Sequence, residues 1–462
     1  MKQKIQRSAS ALVVAAASLM SADAMAGLSN QQLLDVLLQN GAINQAQYKK
    51  LAKLAQEDDQ VAKKAIEDEV KVSIKGGGLK IKSGDGAFSM KIGGRMMVDT
   101  AWFSDNSNDI NGNNYHNGSE LHRFRIHMKG KMFHDWKYHF AYDFGSSSST
   151  GSGGTIKDAW IAYTGLQKAL GLSIPMVITV GNDKEPLGLE YINSSKYLTF
   201  MERGLTQTFA PERAIGINLK THGELGEGAW TFWGGWYGND VNKASNNNGD
   251  KAAGSQAVAA RITFAPIVSK TEILHFGASV EQRYFSGTNN YTFKARPEQH
   301  RASNFTGRPV LNVKDTTKFG LEASGVYGPF ALQGEYFRTH ANAASGSQDA
   351  NFDAWYAFGS WFITGESRRY KKHEGAFTRV KPNAELGKGG WGAFEVAYRY
   401  SYLDLSDNGM GGIRNNSTVG LNWYPNSHVK FMANYVWSHG SAKPTVIDTN
   451  YNAFQLRAQI DF

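Results

Sequence analysis

The chain has 462 residues, 41% of them hydrophobic and 12% aromatic, with 50 glycines against 10 prolines, no cysteine and a formal charge of +9. That length is too great for one ordinary soluble core, and the missing cysteines exclude disulfides and thiolate metal sites. The modest positive charge favours a small anionic partner, with no nucleic acid expected.

Residues 1–26 read as a signal peptide. Lys2, Lys4 and Arg7 precede a short apolar run, Ala9–Met20, and Ala24-Met25-Ala26 offers small residues before Gly27. The apolar run is too short to cross a bilayer, and no later stretch approaches the roughly 18 apolar residues a spanning helix needs. Residues 27–70 are rich in Leu, Ala, Gln and Lys and predict two helices in the periplasm, as a packed hairpin, a short coiled coil or a flexible charged leader. Ser29 would cap the first, Asn40-Gly41 would end it in a left-handed turn, and Asn44 with Gln47 spells a capping box for the second. Residues 71–87 form a Gly- and Lys-rich link.

From Phe88 onward the pattern changes to a period of two. Sixteen strands are predicted: 88–103, 121–132, 136–145, 156–164, 174–182, 213–222, 229–238, 255–264, 272–285, 316–327, 330–340, 352–364, 391–404, 416–424, 428–439 and 450–462. In the last one, Phe454, Leu456, Ala458, Ile460 and Phe462 share one face and Gln455, Arg457, Gln459 and Asp461 the other. Short connections (134–135, 223–228, 265–271, 328–329, 425–427) alternate with long ones rich in Asn, Gly and Ser (104–120, 146–155, 183–212, 239–254, 286–315, 341–351, 405–415, 440–449). An even strand number and loops sorted by length predict an all-β fold, a 16-stranded antiparallel transmembrane β-barrel over 88–462 in a bacterial outer membrane. The connection 365–390 breaks the rule, being long where a short turn is due.

The strand 121–132 shows which face is inside. Arg123, Arg125, His127, Lys129 and Lys131 alternate with Phe124, Ile126, Met128 and Met132. A lipid-facing Arg or Lys near the midplane would cost about 2–4 kcal/mol, so the basic row faces a water-filled lumen. Strict alternation would put His122 on the lipid side. The row reads as a ladder that admits anions, or more simply as solvation of a mixed polar wall. The connection 183–212 is long enough to fold inward; Ser194, Ser195 and Arg203 are either donors for an oxyanion or, for the serines, caps of a helix over Lys196–Arg203. Basic clusters at Lys294, Arg296, His300, Arg301 and Arg308, and at Arg368, Arg369, Lys371, Lys372, Arg379 and Lys381, fit solvated charge runs. No cofactor or metal site is expected. Gly387–Gly392 matches G-x-G-x-x-G but opens a strand, His373-Glu374 lacks a second histidine, and Asp105 and Asp109 lack the EF-hand glycine, leaving at most weak ion binding by a surface loop.

Residues 85–462 resemble the phosphate-selective porin O/P family, homotrimeric sixteen-stranded anion channels of Gram-negative outer membranes. The resemblance is carried by Phe88–Arg95, Asp135–Tyr138 with Tyr142-Asp143, Ser194-Ser195-Lys196 through Glu202-Arg203, Thr364-Gly365-Glu366 with Arg369-Tyr370-Lys371, Leu421–Tyr424 and Ala433–Val436. It implies that Arg95, Arg123, Ser194, Ser195 and Arg203 belong to a basic ladder or constriction, with Arg296 and Arg301 above it, and that the connection 365–390 folds inward. Where the phosphate channels have paired arginines this chain has His122-Arg123; Arg125 stands for a guarding aromatic, Lys157 for an acidic partner and Tyr191 for a pocket lysine. The expectation is therefore a porin for small anions, phosphate or related oxyanions and chloride, set in outer-membrane lipid and lipopolysaccharide. Tight phosphate binding is weakened by the departures, so the alternatives are a general anion porin and a barrel enzyme, the latter without any Ser-His signature. A secreted polysaccharide-binding β-protein using Trp230, Trp233 and Trp236 is the third reading.

Overall fold

The computed structural model describes residues 30–462 apart from 68, 75–76, 105–114, 146–153, 211, 244–253, 287–289, 292, 303, 307–309, 311, 345, 444–446 and 449. The expected signal segment, Ser29, Asp105, Asp109 and Arg308 lie outside these residues. The chain divides into two units, 1–71 with 82–87 and 72–81 with 88–462.

The first unit holds α1 (Asn30–Gln39) and α2 (Gln45–Glu67). Gly41, at φ +71°, turns the chain after α1, and the Ala42 amide donates back to the Leu37 carbonyl at 2.9 Å. Asn44 and Gln47 exchange side-chain-to-backbone hydrogen bonds of 2.9 Å in both directions. That reciprocal cap satisfies two amides that helix geometry leaves open. The expected link 71–87 is more ordered than its glycines suggested. It carries two short strands, Val70–Ser73 and Leu79–Ser83, where Val70, Val72, Leu79 and Ile81 alternate with lysines and serine.

The second unit is a closed barrel of sixteen strands. They are β1 (Ser89–Phe103), β2 (Gly118–Met132), β3 (Trp136–Asp143), β4 (Thr155–Tyr163), β5 (Met176–Lys184), β6 (Arg213–Leu225), β7 (Gly228–Tyr237) and β8 (Gln256–Val268). The second half continues with β9 (Glu272–Tyr284), β10 (Val313–Tyr327), β11 (Phe330–Ala343), β12 (Ala350–Phe362), β13 (Ala393–Asp404), β14 (Gly411–Tyr424), β15 (Val429–Lys443) and β16 (Tyr451–Asp461). Each strand pairs antiparallel with the next, and β16 returns to β1 from Ala453↔Phe103 to Asp461↔Arg95. Closure leaves no unpaired sheet edge, which a bilayer would not tolerate.

The faces are the reverse of a soluble protein's. Phe454, Leu456, Ile460 and Phe462 of the last strand are exposed, while Gln455, Arg457, Gln459 and Asp461 are buried. The same holds on β11, where Phe330, Leu332 and Tyr336 face out and Gln333, Glu335 and Thr339 face in. An apolar outer wall against lipid with polar groups inside is the transmembrane-barrel arrangement.

Candidate functional site

The interior is filled on one side and open on the other. The long connection 185–212 crosses the lumen, because inward side chains of the later strands satisfy its backbone carbonyls. Lys430 Nζ donates to Leu198 O at 2.6 Å, Asn422 Nδ2 to Thr199 O at 2.8 Å and Arg399 Nη1 to Glu202 O at 3.0 Å. A loop inside a barrel needs such partners, since unpaired backbone groups there are costly. The connection between β12 and β13 also turns inward, as the resemblance implied. The Phe377 amide donates to Asn193 Oδ1 at 2.8 Å, and Arg261 Nη2 donates to Gly375 O at 2.9 Å. A third connection, between β9 and β10, places Glu298 2.6 Å from Arg399 and 2.9 Å from the Thr418 hydroxyl. Leu187, Leu205, Phe209, Phe293, Phe337 and Phe352 pack where these loops meet the wall.

Gly188 shows how tightly the crossing loop is seated. Its φ of +71° and ψ of +144° suit glycine alone, and a Cβ there would lie 2.7 Å from Glu335 Oε2. Gly188→Ala is expected to destabilise the loop by about 1–3 kcal/mol, read as a lower temperature for loss of the compact, fast-migrating barrel on gels. An unchanged temperature would show that the loop tolerates movement at this point.

What remains open is a cavity of about 980 Å³ running along β1–β8. Among the described residues its wall carries fifteen lysines and arginines against six carboxylates. Two β-bulges concentrate that charge. On β2, Met97 pairs with Arg123 and Val98 with Leu121, so His122 is the extra residue. On β4, Ala141 pairs with Asp158 and Tyr142 with Ile156, so Lys157 is the extra residue. A bulge sets two successive side chains against one partner, and both His122 and Arg123, and both Lys157 and Asp158, line the cavity. This corrects the strict alternation that put His122 toward lipid.

The residues singled out from the sequence separate into three groups. Arg95, Arg123 and Lys129 line the cavity and form no ion pair with a carboxylate among the described residues. Arg95 Nη1 instead donates to the Ser195 hydroxyl at 2.6 Å, with Ser194 Oγ at 3.4 Å. Arg125 and Arg203 line it too but are committed. Arg125 Nη2 sits 2.7 Å from Asp143 Oδ2, and Arg203 donates to the carbonyls of Glu190 and Asn193 at 2.9 and 3.1 Å. Arg296 lines the cavity, whereas Arg301 packs against Gly118 away from the lining. Lys131, the last member of the basic row, is exposed and does not line the cavity.

Ser194 caps a single 3₁₀ turn, Ser195–Tyr197, by accepting from the Lys196 amide, a shorter element than the helix expected over Lys196–Arg203. Tyr191 replaces an expected cationic role with a structural one: its ring lies 5.0 Å from Lys184 Nζ and 5.7 Å from the Arg203 guanidinium carbon, and its hydroxyl donates to Glu212 O. The basic run at 368–381 is not simply solvated. Arg368 is buried over the Phe377 ring at 4.0 Å, and Arg379 binds Asp461 and the Ser427 carbonyl. Sequence reasoning missed Lys184, Arg213 and Lys220, which line the same wall from β5 and β6; Arg213 pairs with Asp158 at 2.9 Å and Lys220 with Asp183 at 2.6 Å. Lys220 lies opposite exposed Ile215 and Ile217 and was legible by alternation, whereas Lys184 and Arg213, at the strand ends, share the parity of exposed Val180 and Ile215 and gave no such signal.

The family model described as phosphate-selective porin O and P matches residues 90–462, the whole barrel. The chain belongs to that family. It is an outer-membrane porin. Porin O of Pseudomonas aeruginosa is 28% identical over 396 residues, covering 78% of this chain and 85% of that protein. An uncharacterized protein of Caulobacter vibrioides is 28% identical over 401 residues, 84% of this porin and 76% of the relative. Among solved structures, the outer-membrane channel DcaP of Acinetobacter baumannii aligns with a TM-score of 0.49 at 12% identity, covering 82% and 99% of the two chains. An anion-selective porin of Comamonas acidovorans aligns at 0.48 and 13%, covering 81% and 100%.

Proposed function

We propose that this porin passes small anions passively along the β1–β8 wall, with phosphate and related oxyanions as preferred cargo and chloride carried as well. It would do so as a homotrimer held by its apolar outer face in outer-membrane lipid and lipopolysaccharide. The observation that carries the reading is the excess of lysine and arginine on the cavity wall, with Arg95, Arg123 and Lys129 free of carboxylate partners among the described residues. Fixed cations in a narrow, low-dielectric passage raise the local anion concentration and repel cations. Arg95 with the Ser195 hydroxyl supplies a charged fork beside a neutral donor, a combination suited to a phosphate oxygen. No bond is made or broken in this account; selection comes from charge, width and donor geometry.

A general anion porin without phosphate preference is the second reading. It is favoured by Arg203 and Lys184, both of which spend their donors on loop carbonyls, Lys184 at 2.7 and 2.9 Å. Phosphate titrated against a chloride current in a planar bilayer separates the two. Block at submillimolar to millimolar phosphate supports oxyanion preference, and chloride conductance indifferent to phosphate leaves the general porin.

Lys196 adds a pH dependence. Burial lowers its ammonium to about 8 despite the pull of Asp461, 3.3 Å away. The group is charged below that pH and neutral above it. Anion selectivity is therefore expected to fall between pH 7 and 9, and Lys196→Arg, which stays charged, should flatten that step. A step of equal size in the arginine variant would assign the titration to another group.

A further inference from the structure

At the edge of the cavity, which His122 and His300 line, lies a donor set that anion passage does not use. Glu120 and His122 project from β2, where the bulge turns His122 inward, and His300 comes from the connection between β9 and β10. His300 Nδ1 lies 2.9 Å from both carboxylate oxygens of Glu120, and His122 Nδ1 lies 3.8 Å from Glu120 Oε1. The two imidazole centroids are 4.2 Å apart. One donor atom from each of the three residues falls within 4.8 Å of the others. Ligands held about 2.0–2.2 Å from a shared ion sit roughly 3–3.5 Å from one another, so small side-chain rotations complete the site.

A second observation points the same way. His122 is 2% exposed, yet neither of its ring nitrogens has a hydrogen-bond partner. Glu202 Oε1 approaches His122 Nε2 at 3.2 Å and Asp99 Oδ2 approaches Nδ1 at 3.8 Å, but both carboxylates are bound by Arg457 at 2.8 and 2.6 Å. Glu120 is thus the carboxylate of the cluster left to the imidazoles.

We propose that Glu120, His122 and His300 form a binding site for a divalent transition-metal ion such as zinc. Two imidazoles and a carboxylate select borderline ions over calcium and magnesium, which take oxygen shells. The ion staples the inward loop to β2 beside Arg123 and places positive charge where the carboxylates would otherwise attract cations. The site escapes a linear reading because Glu120 and His300 stand 180 positions apart.

The test is calorimetric titration of zinc into the purified full-length protein in detergent after chelator treatment, with X-ray absorption at the zinc edge on the loaded sample. The expected result is one saturable zinc per chain with two imidazole ligands. His300→Gln, a loop variant that leaves the β2 wall intact, should weaken binding by about tenfold or more. His373→Gln, which alters the separate His222–His373 pair, should bind as the unaltered protein does. No saturable binding, a spectrum without imidazole, or equal binding by His300→Gln overturns the site and leaves His122 and His300 as polar neighbours of the carboxylates.

Discussion

Arg123→Glu is expected to abolish most of the anion preference while leaving the barrel intact. Arg123 lines the cavity at the β2 bulge, pairs with no carboxylate among the described residues, and stands one residue from the point where the ladder doubles. A unit charge about 5 Å from a passing ion contributes about 1–3 kcal/mol for effective dielectric constants between 80 and 20. Each 1.4 kcal/mol is a factor of ten in occupancy, and reversal removes one attraction and adds one repulsion. The chloride-to-potassium permeability ratio should therefore drop by about tenfold or more. Lys131→Glu serves as the comparison. It changes the same charge on the same strand, but Lys131 is exposed and off the cavity wall, so selectivity should stay near that of the unaltered protein. Equal effects of the two substitutions would mean that net charge, and not position on the wall, governs the passage.

Arg457→Met is the second large effect. Arg457 is nearly fully buried, binds Asp99 through Nε and Nη2 at 2.7 and 2.6 Å, binds Glu202 at 2.8 Å and donates to Met201 O. It thereby ties the strand pair that closes the barrel to the crossing loop. Methionine fills much of the volume but leaves two buried carboxylates without a counter-charge, and breaking a buried pair this way costs about 3–5 kcal/mol. The expected readings are a marked fall in the temperature at which the folded, fast-migrating form is lost, and a larger, less selective conductance as the loop around Glu202 loosens. Coupled Asp99→Asn and Glu202→Gln changes in the same background should recover part of the loss. If Arg457→Met migrated and conducted like the parent, the network would be dispensable for seating the crossing loop.

Much of this was legible in the sequence, and the reason is the period of two. Every strand pairs one lipid-facing apolar row with one polar row, so sixteen alternating segments and the sorting of loops by length were enough to read the barrel. The odd connection between β12 and β13 was visible as an exception, and its inward fold explains the exception: Phe377 and Gly375 spend their backbone groups on Asn193 and Arg261 inside the lumen. Period two fails where a residue is inserted. His122 and Lys157 each occupy a bulge, and an alternation rule cannot see an extra residue. Counted from Arg123, it puts His122 on the wrong face and inverts the strand beyond the bulge, so that Leu121, of the same parity as Arg123, is exposed.

The division of the lumen into a filled and an open side was illegible for a different reason. It depends on pairs such as Lys430 with Leu198 and Asn422 with Thr199, 232 and 223 positions apart. Nothing local in the strands marks which inward polar group will serve a loop and which will face water. Hence the basic residues looked alike in the sequence, while the structure commits Arg125 and Arg203 to partners and leaves Arg95, Arg123 and Lys129 facing the cavity.

The zero-current potential of the purified porin in a planar bilayer under a potassium chloride gradient tests the central claim most directly. Passage along a wall with fifteen cationic and six anionic side chains predicts a potential of the sign set by chloride movement, larger at low salt, where screening is weak. A cation-selective potential, or one near zero at low salt, would contradict the account.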